Sequence, residues 1–132
     1  MRSRWLAAVA VVAALGVAGS AQAAAPKVKV TLNEFKVIPK PKSVKPGKVT
    51  FTAKNTGKLG HQLVVVKTNV APGKLKLKGS KAVEKGRVGK VQNIQPGKSK
   101  KLTLKLKKGK YVLLCNIPGH YQAGQRIGFA VK

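Results

Sequence analysis

The chain is 132 residues long and carries 28 lysines and arginines against two acids, a formal net charge of +26. That length supports one domain with one core, not two. A single cysteine excludes an internal disulfide, and 5% aromatic residues leave little to stack nucleic-acid bases, so neither a disulfide-stapled fold nor a base-reading module is expected.

The first 23 residues have the three parts of a secretory leader. Arg2 and Arg4 open it, an apolar run extends from Trp5 to Ala18, and small residues end it at Ala21-Gln22-Ala23. The run is short of the ~20 residues a membrane span needs and has no basic stop signal after it, so cleavage after Ala23 and no transmembrane anchor are expected. The domain is then 24–132, located in the periplasm, in the cell envelope or outside the cell. Loss of Arg2 and Arg4 leaves that domain a net +24 against Glu34 and Glu84.

From Val28 onward the apolar residues alternate with lysine and threonine. Val28, Val30 and Leu32 do so, then Val49, Phe51 and Ala53, then Leu102, Leu104 and Leu106. Period two with β-branched residues predicts half-buried strands. The continuous runs Leu63–Val66 and Tyr111–Leu114 predict central strands covered on both faces. Turn signals stand between the runs at Pro46-Gly47, Asn55-Thr56-Gly57, Pro72-Gly73, Pro96-Gly97, Lys108-Gly109 and Pro118-Gly119. Seven to eight short strands punctuated in this way predict an all-β, antiparallel sandwich. Residues 74–92 are expected to form a long connection between the sheets, with one helical turn around Ser80 to Lys85.

The chemistry concentrates at Cys115-Asn116-Ile117-Pro118-Gly119-His120. A thiolate and an imidazole on either side of a Pro-Gly turn can reach one metal ion. His61, the other histidine, stands far upstream at the mouth of a strand beside a glycine-rich loop, and the fold must bring it in. Two nitrogens and one sulfur make the trigonal frame of a blue-copper site.

With these residues the chain resembles a small cupredoxin of the plastocyanin and azurin class, over essentially the whole of 24–132. The resemblance implies an eight-stranded Greek-key sandwich with one type 1 copper at one end, held by His61, Cys115 and His120. It departs from the family at the axial position. The family usually places methionine five residues after the second histidine, where this chain has Gln125, and the only methionine is Met1. Glutamine is the axial ligand of stellacyanin-like members, and its harder oxygen implies a lower reduction potential. The alternative is a three-coordinate site, or one touched by the Gly60 carbonyl. Gln62 is expected to tie the two ligand loops together and the amide of Asn116 or a neighbour to reach the sulfur. Leu59, Ile117, Pro118 and Tyr121 are expected to form an apolar collar around His120.

The expected function is that of an exported, monomeric electron carrier passing one electron at a time, not an enzyme. The alternative is a copper-binding module for storage, delivery or stress protection. So strong a positive field favours an acidic redox protein or an anionic cell-envelope surface as partner rather than nucleic acid.

Overall fold

A computed structural model describes residues 10–14, 16 and 25–132. The leader expected over 1–23 falls for the most part outside the described residues. Among those described, no helix is long and apolar enough to cross a membrane.

The described residues form eleven strands: β1 Lys27–Asn33, β2 Lys36–Lys40, β3 Ser43–Val44, β4 Gly47–Asn55, β5 His61–Lys67, β6 Leu77–Lys78, β7 Lys81–Ala82, β8 Arg87–Ile94, β9 Ser99–Leu106, β10 Gly109–Leu114 and β11 Arg126–Val131. A four-stranded sheet in the order β2-β1-β4-β9 packs on a five-stranded sheet in the order β3-β11-β10-β5-β8, and β6 and β7 form a small ribbon. The expected seven to eight strands correspond to the longer ones. Strands β3, β6 and β7 have two residues each, too short for any alternation to reveal. The sheets are also mixed rather than purely antiparallel: β1 pairs β4 in parallel, and β11 pairs β3 in parallel.

The alternation does what period two requires. Val28, Val30 and Leu32 of β1 and Val49, Phe51 and Ala53 of β4 turn inward and meet Leu63, Val65, Leu113, Phe129 and Val131 from the other sheet. Phe51 and Phe129 pack edge to face with ring centroids 5.6 Å apart. The Tyr111 hydroxyl donates to the Lys107 carbonyl at 2.6 Å and fixes the turn into β10.

The continuous runs have a separate explanation. Val64, Val66, Val112 and Leu114 face away from the sandwich, where Leu75, Ala82 and Tyr121 cover them in a second apolar cluster. The covering segment is the 68–86 connection. It therefore does not cross between sheets, as expected from the sequence, but leaves β5 and returns to the same sheet as β8. The helical turn expected at Ser80 to Lys85 is not found: β7 and the turn after it stand there, and the 3-10 turn of the connection lies earlier, at Pro72–Lys74. Residues 87–92, read as part of the connection, belong to the edge strand β8, whose irregular register against β5 breaks the alternation that would have revealed it.

Replacing Phe51 by alanine removes a fully buried ring from between the sheets. The expected loss of stability is about 3–5 kcal/mol, read from urea denaturation of the metal-free protein as a lower midpoint at unchanged slope.

Candidate metal centre

Parity places the site. His61 shares the inward face of β5 with Leu63 and Val65. Cys115 follows Leu114, which pairs with Val64 of β5, and it shares the inward parity of Tyr111 and Leu113. Gln125 precedes β11 and shares the parity of Ile127 and Phe129. Its carbonyl accepts the Cys115 N–H at 3.1 Å. Three adjacent strands of one sheet thus bring three polar side chains to the inner face at one pole.

His120 arrives from the loop between β10 and β11. Its N–H donates to the Ile117 carbonyl at 2.9 Å, and its carbonyl accepts the Gln125 N–H at 3.1 Å. Gly119, at φ +83°, makes the left-handed step this closure needs. The loop is tied outward as well. Asn116 exchanges hydrogen bonds with both backbone groups of Ala82 and donates to Glu84, while the Tyr121 hydroxyl donates to the Pro72 carbonyl and accepts the Leu75 N–H. Burial pushes the Glu84 carboxyl up, but the Asn116 and Arg87 donors outweigh it and hold it below its ordinary range.

The donor atoms are already spaced for a metal. The Cys115 Sγ lies 3.8 Å from His61 Nδ1 and 3.5 Å from His120 Nδ1, and all three lie within 4.8 Å of one another. Trigonal bonds of about 2.3 Å to sulfur and about 2.0 Å to nitrogen put sulfur and nitrogen about 3.7 Å apart. His61, Cys115 and Gln125 are fully buried and His120 is 8% exposed. Burial pushes the Cys115 thiol up, against a downward pull from the Ile117 and Gln62 N–H groups; the Gln62 nitrogen is 3.3 Å from the sulfur. Burial first, and then the neighbouring His61, lowers the pKa of His120 and so favours the neutral ring that can bind metal.

Gln125 completes the ring of polar atoms. Its Nε2 donates to the Asn33 carbonyl at 3.0 Å and reaches that of Lys36 at 3.4 Å. Carbonyls only accept, so this end of the amide is the NH2, and Oε1 is the end beside His120 Nδ1 at 3.1 Å.

Glu34 is the residue that the sequence reading missed. Its carboxylate accepts the N–H groups of Leu59 at 2.7 Å and Lys58 at 3.0 Å, and bonds His61 Nε2 at 2.9 Å. These backbone donors, that of Leu59 above all, lower its pKa from 4.5 to about 2. With the anion on Nε2, that nitrogen carries the proton and Nδ1 keeps its lone pair, with the Gln125 NH2 at 3.1 Å and the sulfur at 3.8 Å. Gly57 makes room: a Cβ there would collide with both carboxylate oxygens. The only sequence signal was an isolated acid just before an aromatic residue in a strongly basic chain.

Several finer expectations change. Gln62 meets the sulfur through its backbone, and its buried Oε1 has no partner among the described residues. The Asn116 side chain points to the 82–84 segment, and of the two expected donors it is the neighbour, the Ile117 N–H, that acts on the thiol, together with the Gln62 N–H. In the collar, Leu59 is half exposed and Pro118 exposed, but Tyr121 is buried and pins the connection instead. Phe35 takes its place, edge-on to His120 at 5.1 Å.

A carboxyl lowered on folding adds stability that is fully present above its unfolded value of 4.5 and is lost as pH falls toward about 2. In acid titrations of the metal-free protein, the stability difference between wild type and Glu34→Gln is therefore expected to shrink between those values and to hold level above them, short of the range where histidine titrates.

The Cupredoxin-like domain family profile matches residues 6–127. A search of curated proteins finds no match. Among solved structures, dithionite-reduced auracyanin from Roseiflexus castenholzii is 22% identical at a TM-score of 0.60, covering 83% of this chain and 99% of that one. Auracyanin A, a blue copper protein from Chloroflexus aurantiacus, is 17% identical at a TM-score of 0.59, covering 83% and 100%. A rusticyanin variant with glutamine in place of a methionine is 23% identical at a TM-score of 0.61, covering 83% and 80%. At such identities the likeness establishes the shared sandwich, and the family match extends over nearly the whole sequence. The chain belongs to the cupredoxin-like family, and the His61, Cys115 and His120 arrangement fits its single type 1 copper site.

Proposed function

We propose that this chain is an exported one-electron carrier in which His61, Cys115 and His120 would hold copper and Gln125 Oε1, beside them, would offer it a hard oxygen. The observation that carries the reading is a buried donor set at bonding separation, with each side chain fixed by the fold. Copper, when bound, supplies a one-electron couple between Cu(I) and Cu(II).

The protein's own contribution is to keep its donors still. Glu34 holds the His61 ring, the Ile117 and Gln62 N–H groups hold the sulfur, and the Asn33 and Lys36 carbonyls hold the amide of Gln125. Burial on nearly every side leaves little room for a substrate, which favours a carrier over a catalyst. His120 is the least buried of the four, with exposed Leu59 and Pro118 on the neighbouring loops, and its ring edge is the route for electrons. The net charge favours an acidic redox protein as partner.

Two groups bear on the potential. The hard oxygen of Gln125 and the charge of Glu34 at His61 both favour Cu(II) and so lower it. Gln125→Met is expected to raise the potential in a redox titration, and so is Glu34→Gln. Gly57→Ala, by displacing the carboxylate, is expected to shift it the same way as Glu34→Gln.

The first test is the visible and EPR spectrum after Cu(II) addition. The expected result is an intense band near ~600 nm with a narrow copper hyperfine splitting, both lost in Cys115→Ser. A colourless protein overturns the carrier reading, and a blue protein that surrenders its copper readily to a chelator points to copper handling instead.

A further inference from the structure

The outward face of the four-stranded sheet is left unexplained by the metal centre. Its register sets lysines side by side: Lys29 lies opposite Lys40, and Lys48 opposite Lys105. Lys101 extends the Lys40-Lys29 row across Thr52, and Lys27 falls in the row between, beside Thr50. All six ammonium side chains are exposed. The remaining outward positions of β4 and β9 are mostly small hydroxyl residues, with the Thr50 and Thr103 hydroxyls 3.0 Å apart.

Folding does not require this. Like charges directly opposite one another destabilise a sheet, and any polar residue satisfies the outward half of the alternation. Relief within the chain is lacking too. Both acidic side chains are engaged near the copper pole, Glu34 with His61 and Glu84 with Asn116 and Arg87. β1 and β4 run to the copper pole at Asn33 and Asn55 and β9 starts from it at Ser99, so Lys27, Lys48 and Lys105 lie at the far end of the sheet, the Lys40-Lys29-Lys101 row crosses its middle, and Lys36 and Lys54 of the same face stand nearer the pole.

The make-up of the face limits the partner. It carries no aromatic side chain to stack a base. The large apolar side chains most exposed in the domain, Leu59, Val70, Leu77 and Val88, lie elsewhere and supply no wedge for a bilayer here. Lysine without arginine offers hydrated point charges on flexible stems, suited to neutralising a row of anions rather than gripping one in a fixed fork.

We propose that this lysine and threonine face docks a linear phosphate polyanion, one without bases. Binding proceeds by counter-ion release and leaves the copper pole free, so it is independent of the redox reading.

The test uses the full-length mature protein and inorganic polyphosphate of defined length, titrated at several salt concentrations. One variant carries Lys29→Gln, Lys40→Gln, Lys48→Gln and Lys105→Gln. A control of identical net charge carries Lys74→Gln, Lys76→Gln, Lys78→Gln and Lys81→Gln in the 68–86 connection. The face variant is expected to lose at least about tenfold in affinity, with the slope of log K against log salt falling by about 3; the control is expected to change by less than about twofold. Circular dichroism and thermal melts check the fold, and the face variant is expected to melt no lower than wild type because like-charge pairs have been removed. Equal losses in both variants overturn the proposal, since net charge alone would then explain binding. So does wild-type protein that ignores polyphosphate, or that prefers phosphatidylglycerol vesicles or single-stranded DNA at equal phosphate.

Discussion

The whole site depends on how the loop at residues 56–60 has its backbone satisfied. That loop has no strand ladder of its own, yet it must deliver His61 to one place. Two side chains substitute for the ladder. The buried amide of Asn55 donates to the Leu59 and Ile94 carbonyls and accepts the Gly57 N–H, while Glu34 accepts the next two N–H groups. Asn55 thereby links the end of β4 to the end of β8 in the opposite sheet. Buried polar groups satisfied so completely are rigid, and a rigid loop is what a metal ligand far from its partners in sequence requires.

The sequence made the sandwich and the donor set readable for a definite reason. Strand parity is a local property, and so is the short spacing from Cys115 to His120. Once His61 is assigned to the inward face of its strand, the meeting of all three follows from sheet pairing. What stayed hidden depends on contacts between distant segments. Glu34 reads as a stray acid until the β1-β2 turn is laid over the 56–60 loop. The 68–86 segment reads as a plain connection until its few apolar residues, Leu75 and Ala82, are seen on Val64 and Val112. Tyr121 belongs to the same case: its neighbour His120 suggested a place at the surface, whereas its hydroxyl is used up inside by Pro72 and Leu75.

Charge in this molecule is sorted by place as well as excessive in amount. The two carboxylates are spent on geometry, one on a ligand ring and one on the residue that follows the cysteine. The lysines are left to the outer surfaces, where solvent and counter-ions screen them. A single misplaced acid would matter more here than in an ordinary protein, because each existing one organises a loop.

Burial of the lone thiol also governs what happens before any metal arrives. Cys115 is fully enclosed and its pKa is raised by that enclosure. Disulfide exchange and oxidation both need an accessible thiolate, and this sulfur offers neither access nor much ionised form. A freshly folded molecule can therefore keep the sulfur of its metal centre intact, without a second cysteine to guard it, until a metal ion is at hand.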